Sequence, residues 1–125
     1  NSVRYGASCD KLVLISPGMY EVKPTFKGFV GLFRLDAEYY ADRLFDLAES
    51  IHGVNPGDLG PDRFAAQIDM ETLIVHCEDD KDSVKEIALN LHGDMKHSTL
   101  HLTEGLGHRR ILRDEKVAKM VLDFL

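Results

Sequence analysis

Two short stretches concentrate the residue types that move protons. His76-Cys77-Glu78-Asp79-Asp80 follows the apolar run Leu73-Ile74-Val75, and Thr103-Glu104-Gly105-Leu106-Gly107-His108 follows Leu100-His101-Leu102. A carboxylate set against an imidazole fixes its tautomer and stabilises the imidazolium that forms when the ring takes a proton from a nucleophile. Asp80 and His108 have this composition, and Gly105 and Gly107 permit a tight turn that lifts the ring over a sheet edge. Read from the residues alone, the pair stays open to a plainer interpretation as solvated loop groups.

The elements that must bring the two stretches together follow from patterning. Leu12-Val13-Leu14-Ile15 and Leu73-Ile74-Val75 are continuous and rich in branched residues, as in strands buried on both faces of a parallel sheet. Ser83-Val84-Lys85-Glu86 reads as a capping box, Val84, Ile87, Ala88 and Leu91 as one helical face, and Gly93 as the stop. Val117, Met120, Val121 and Phe124 form a second helical stripe. From Glu71 onward the order is strand, helix, strand, helix, a βαβ unit with a closing helix. Such consecutive parallel strands present their carboxyl ends at one edge, about 4.8 Å apart, where ligands of open α/β sheets bind.

Residues 19–70 are too long for an ordinary connection. They carry a stripe of Tyr40, Leu44, Leu47 and Ile51, expected to start at an Asp36 cap and end near Gly53, and then a short helix around Phe64 to Gln67. This reads as a helical cap or lid, with Met19, Tyr20, Phe26, Phe29 and Phe33 as cap core or as a wall of an acyl pocket. Residues 71–125 form the unit that carries Asp80 and His108.

Composition removes several function classes. The chain has 125 residues, 44% hydrophobic, with 21 acidic against 15 basic side chains and a net charge of -6. An acidic surface argues against nucleic acid as a partner, because that binding rests on clustered Lys and Arg. No apolar run approaches the ~20 residues of a membrane-spanning helix, so membrane insertion is not expected. Cys9 and Cys77 are too few for a disulfide framework and form no Cys-x-x-Cys pair, which points to a reducing, cytoplasmic setting.

Other candidates are weaker. Ser16 ends a strand, yet Pro17 follows it and has no N–H to offer an oxyanion, which makes Ser16 a poor nucleophile. His76 reads as a structural strand-end histidine. Cys77 has the chemistry of a thiolate nucleophile beside His108 but lacks a helix N-terminus to activate it. Glu78, Asp79, Asp80 and Asp82 do not have the spacing of a calcium loop. Arg109 and Arg110 read as solvated charges, with anion binding as the alternative. No metal or organic cofactor is implied.

The chain resembles the carboxyl-terminal half of an α/β-hydrolase. The resemblance rests on Leu73 to Asp80, the helix after it, and Gly105-Leu106-Gly107-His108-Arg109-Arg110-Ile111-Leu112, and it extends to Leu12 to Gly18 as the strand before a helical cap. It implies an α/β fold with three parallel strands, flanking helices and a cap insertion, in which residues 1–125 are the C-terminal portion of one domain. It also implies Asp80 as triad acid, His108 as general base, and Asp79 as acid if the loop register slips by one. Cys77 stands where the family usually has glycine.

The family nucleophile, a Ser in a Gly-x-Ser-x-Gly elbow, precedes the acid and the His, and no such motif occurs here. The expectation is that Asn1 to Tyr5 end the elbow helix and that the Ser lies upstream. The intact protein would then hydrolyse an ester or related acyl bond of a small-molecule substrate, and a truncated, non-catalytic interaction protein is the alternative. The open sheet edge would be completed by the missing N-terminal half or by a second copy.

Overall fold

The computed structural model describes residues 9–125, so the expectation for Asn1 to Tyr5 lies outside the described residues. They fall into two compact units, one holding the residues up to Gly18 together with Phe64–Leu125, the other holding Met19–Arg63. Phe64 to Met70, expected to belong with the cap, groups with the sheet.

The sheet unit contains β1 (Lys11–Ile15), β2 (Glu71–Cys77) and β3 (Ser98–Thr103), parallel and in sequential order. Leu14 pairs with Ile74, and Ile74 with Leu100. β2 is central, and Thr72 to Cys77 are all buried, whereas the outer β1 is half-buried throughout. Because strand side chains alternate, Leu73, Val75 and Cys77 share one face. There they form a core with Ile111 and Val117, against which Val13, Ile15, Leu106, Met120, Val121 and Phe124 pack. The other face of β2 meets α3 (Lys85–Asp94), which buries Ala88 and Leu91.

The closing helix, Glu115–Phe124, follows the expected stripe. Asp114 caps it, accepting from the backbone N–H of Lys116 and of Val117. The start of α3 differs from expectation. Its N-cap is Val84, with no side-chain cap, because the Ser83 hydroxyl instead donates to the Pro17 carbonyl at 2.7 Å. Val84 is exposed, and the helix runs through Gly93 to a cap at Met95.

The second unit contains α1 (Val22–Gly31) and α2 (Ala37–His52), then short 3₁₀ turns at Pro56–Leu59 and Pro61–Arg63. α2 starts and stops as expected: Asp36 accepts from the Tyr39 N–H, and Gly53 closes the helix in the left-handed conformation with φ 68°. Its buried face is not the expected stripe. Ala41 and Phe45 are buried, while Tyr40, Leu44, Leu47 and Ile51 are exposed. Phe26 of α1 meets Phe45 with ring centroids 6.1 Å apart, but Met19, Phe29 and Phe33 lie at the surface and form no core.

Candidate active site

The site stands at the carboxyl ends of β2 and β3. After Cys77 the chain makes a turn in which the Asp80 N–H donates to the Cys77 carbonyl at 3.1 Å. The Asp80 side chain, wholly buried, then divides its two oxygens. Oδ1 accepts the backbone N–H groups of Asp82 and Ser83, both at 2.9 Å, and Oδ2 lies 2.8 Å from His108 Nδ1. A carboxylate only accepts, so Nδ1 donates its proton to Asp80, and Nε2 is the ring nitrogen left outside this contact. This is the ring orientation that a general base needs.

The electrostatics agree with this geometry. Burial alone would raise the Asp80 pKa. The Ser83 N–H, the His108 ring and the Asp82 N–H together outweigh burial and hold the carboxyl below its ordinary value. His108 is partly exposed, its side chain at 34%, and opens onto a depression of about 560 Å³ that Asp79, Lys81, Leu106, Arg109 and Arg110 also line. The ring is thus anchored on one nitrogen and accessible beyond it.

It is Asp80, not Asp79, that bonds the His108 ring, and Asp79 is exposed. Its Oδ1 accepts the Cys77 thiol and the Gly105 N–H, each at 2.8 Å. The thiol, the Gly105 N–H and the Arg110 charge hold its carboxyl below the ordinary value. Cys77 is fully buried, and its Sγ also accepts the N–H groups of Leu106 and Gly107, at 3.3 and 3.1 Å.

His76 is fully buried on the opposite face of β2. Its Nε2 lies 2.9 Å from the Ser83 carbonyl and 3.8 Å from Asp80 Oδ2. The carbonyl accepts, so Nε2 carries the proton, and Nδ1 has no hydrogen-bond partner among the described residues. Ser16 is buried in the left-handed region with φ 47°; its N–H donates to the Val75 carbonyl at 2.8 Å, and its hydroxyl likewise lacks a partner among the described residues. Arg109 is exposed, whereas the Arg110 guanidinium is occupied by the carbonyls of Gly105 and Leu106. Among the described residues no group of three or more His, Cys, Asp or Glu side chains is placed to hold a metal, and no helix is long and apolar enough to cross a membrane.

Sequence reasoning brought out Asp80 and His108 but missed the contacts of Cys77 with the histidine loop. The only available signal was a side chain where a glycine was expected.

The sequence matches no protein-family model and no curated protein. Among solved structures it is similar to a meta-cleavage product hydrolase from Pseudomonas fluorescens, a serine-to-alanine variant complexed with acetates. The TM-score is 0.60 and the sequence identity 18%, over 98% of this chain and 58% of that chain. The chain therefore spans less than two thirds of the structure it resembles. Three parallel strands in sequential order, their flanking helices and this structural overlap identify the chain as part of an α/β-hydrolase fold.

Proposed function

We propose that this chain is the C-terminal part of a serine hydrolase acting on an ester or related acyl bond, with the nucleophilic Ser upstream of residue 1. The observation that carries the proposal is the 2.8 Å contact between His108 Nδ1 and the buried Asp80 carboxylate, which leaves Nε2 outside that contact on a ring that opens onto a depression. In this reading the Ser hydroxyl attacks the substrate carbonyl while His108 Nε2 takes its proton. Asp80 stabilises the resulting imidazolium, which returns the proton to the leaving group. Water then attacks the acyl-enzyme with His108 again as base, the Ser–acyl bond breaks to release the acid, and the imidazolium returns the proton to the Ser oxygen. The similar structure is a hydrolase of meta-cleavage products, so such a compound belongs in the assay beside short acyl esters.

Two further features support the reading. β1 pairs on one side only among the described residues, an edge suited to strands of an N-terminal half or of a second copy. Cys9 and Cys77 are both free thiols, as in a reducing compartment such as the cytoplasm. The test uses the protein with its upstream sequence and a p-nitrophenyl ester. His108→Ala should abolish turnover, and activity retained in that variant sinks the assignment.

A further inference from the structure

The Gly105–Gly107 backbone, which leads directly into His108, is held by an unusual set of partners. Its three successive N–H groups all point at side chains of the β2 turn: Gly105 N–H donates to Asp79 Oδ1, and Leu106 and Gly107 N–H donate to Cys77 Sγ. The thiol proton closes the set by donating to the same Asp79 oxygen. On the other side of the loop, Arg110 donates to the Gly105 and Leu106 carbonyls. Gly105 and Gly107 have φ 75° and 59°, a left-handed alternation that turns successive N–H groups to one side.

One short turn therefore does two things three residues apart. Asp80 grips the His108 ring, and Cys77 with Asp79 grips the backbone from which that ring projects. A glycine at position 77 leaves the Leu106 and Gly107 N–H groups without their acceptor. A ring fixed at one nitrogen pivots unless its main chain is also fixed, and small misplacement of a catalytic group is costly to the rate.

We propose that Cys77 is a positioning residue: its buried thiol, backed by Asp79, clamps the Leu106 and Gly107 N–H groups and sets His108 at the angle that Asp80 then holds. The proposal rests on the reading of His108 as general base. Its primary readout is independent of that reading, because amide hydrogen exchange at Leu106 and Gly107 reports the clamp whether or not the protein turns over an ester.

The experiment compares Cys77→Ala, Cys77→Ser and Asp79→Ala in the protein with its upstream sequence. In Cys77→Ala, exchange at Leu106 and Gly107 should speed up about tenfold, as expected for loss of one hydrogen bond. In the same variant kcat should fall about tenfold with KM unchanged, the signature of a group that acts only in the transition state. Cys77→Ser supplies a hydroxyl acceptor and should recover most of both losses. Asp79→Ala, at an exposed position, should speed exchange at Gly105 and lower kcat less than Cys77→Ala does. Unchanged exchange at Leu106 and Gly107 in a folded Cys77→Ala overturns the proposal, as does a loss expressed only in KM. If Cys77→Ala does not fold, Asp79→Ala decides, and unaltered Gly105 exchange overturns it. A wild type without hydrolase activity removes the functional reading, while the exchange measurements still decide the clamp.

Discussion

α2 in the helical insert and α3 in the sheet unit both carry apolar stripes, but they use them differently. α3 meets a sheet face, a broad surface, and buries Ala88 and Leu91 from the stripe that its sequence presents. α2 meets α1 and the turn at Pro56–Leu59, and buries Ala41 and Phe45, leaving Tyr40, Leu44, Leu47 and Ile51 exposed. The buried pair sits one residue on from Tyr40 and Leu44, a rotation of about 100° around the helix. Apolar periodicity identifies a helix, but the surface available nearby decides which face is covered. Polar burial separates the regions too. The buried polar side chains among the described residues all lie in the sheet unit, and Ser16, His76, Asp80 and Ser83 cluster at the edge where the chemistry is proposed, with Thr72 at the other end of β2.

The sharpest way to break this contrast is to remove the imidazole. In the protein with its upstream sequence, His108→Ala should lower ester turnover about 10⁶-fold, the scale for loss of a triad histidine. Substitutions on the exposed stripe of α2 should leave the chemical step within about threefold, since surface changes typically shift even stability by no more than about 0.5 kcal/mol. Steady-state kinetics on both variants checks the pair.

A stability comparison comes next. Leu91→Ala removes a side chain that is 2% exposed and should cost about 2–5 kcal/mol in denaturant unfolding. Leu47→Ala, at a position 54% exposed, should fall within about 0.5 kcal/mol of wild type. Equal losses would mean that α2 is as deeply packed as α3.

Acid should act on the sheet unit through Asp80. Its carboxyl is held below the ordinary value in the fold, so it contributes stability above the unfolded value of about 3.9 and loses it as pH falls through the folded value. Between pH 7 and 5 this group should add no slope. Asp80→Asn should flatten the decline below about pH 4, measured by urea unfolding at a series of pH values. The smallest effect is at the insert: Asp36→Ala deletes the cap on the Tyr39 N–H and should cost about 1 kcal/mol.

What was legible in the sequence was local or periodic. Continuous branched runs located β1 and β2, Asp36 and Gly53 bounded α2, and the Val117 to Phe124 stripe found its core. The meeting of Asp80 with His108 was legible because sequential parallel strands put both loops at one edge. What escaped was set by distant partners. The Ser83 hydroxyl turns to Pro17, which is 66 residues away, so the capping box does not form. Gly28 and Gly31 hid α1, although Pro24 lies in its first turn, where proline is tolerated. Cys77 acts on a backbone that no pattern around it encodes.

The sheet order also sets an order of assembly. β2 and β3 are joined through α3 alone, whereas β1 reaches β2 across the whole insert. Thr72 and Ser98 are separated by less than half the chain that separates Ile15 from Val75, and closing the longer loop costs about 0.7 kcal/mol more in chain entropy. During refolding the β2–α3–β3 segment should therefore gain protection first and β1 should dock later. The Asp80 loop lies within that early segment and the His108 loop continues directly from β3, so the hydrogen bond between them can form before β1 docks.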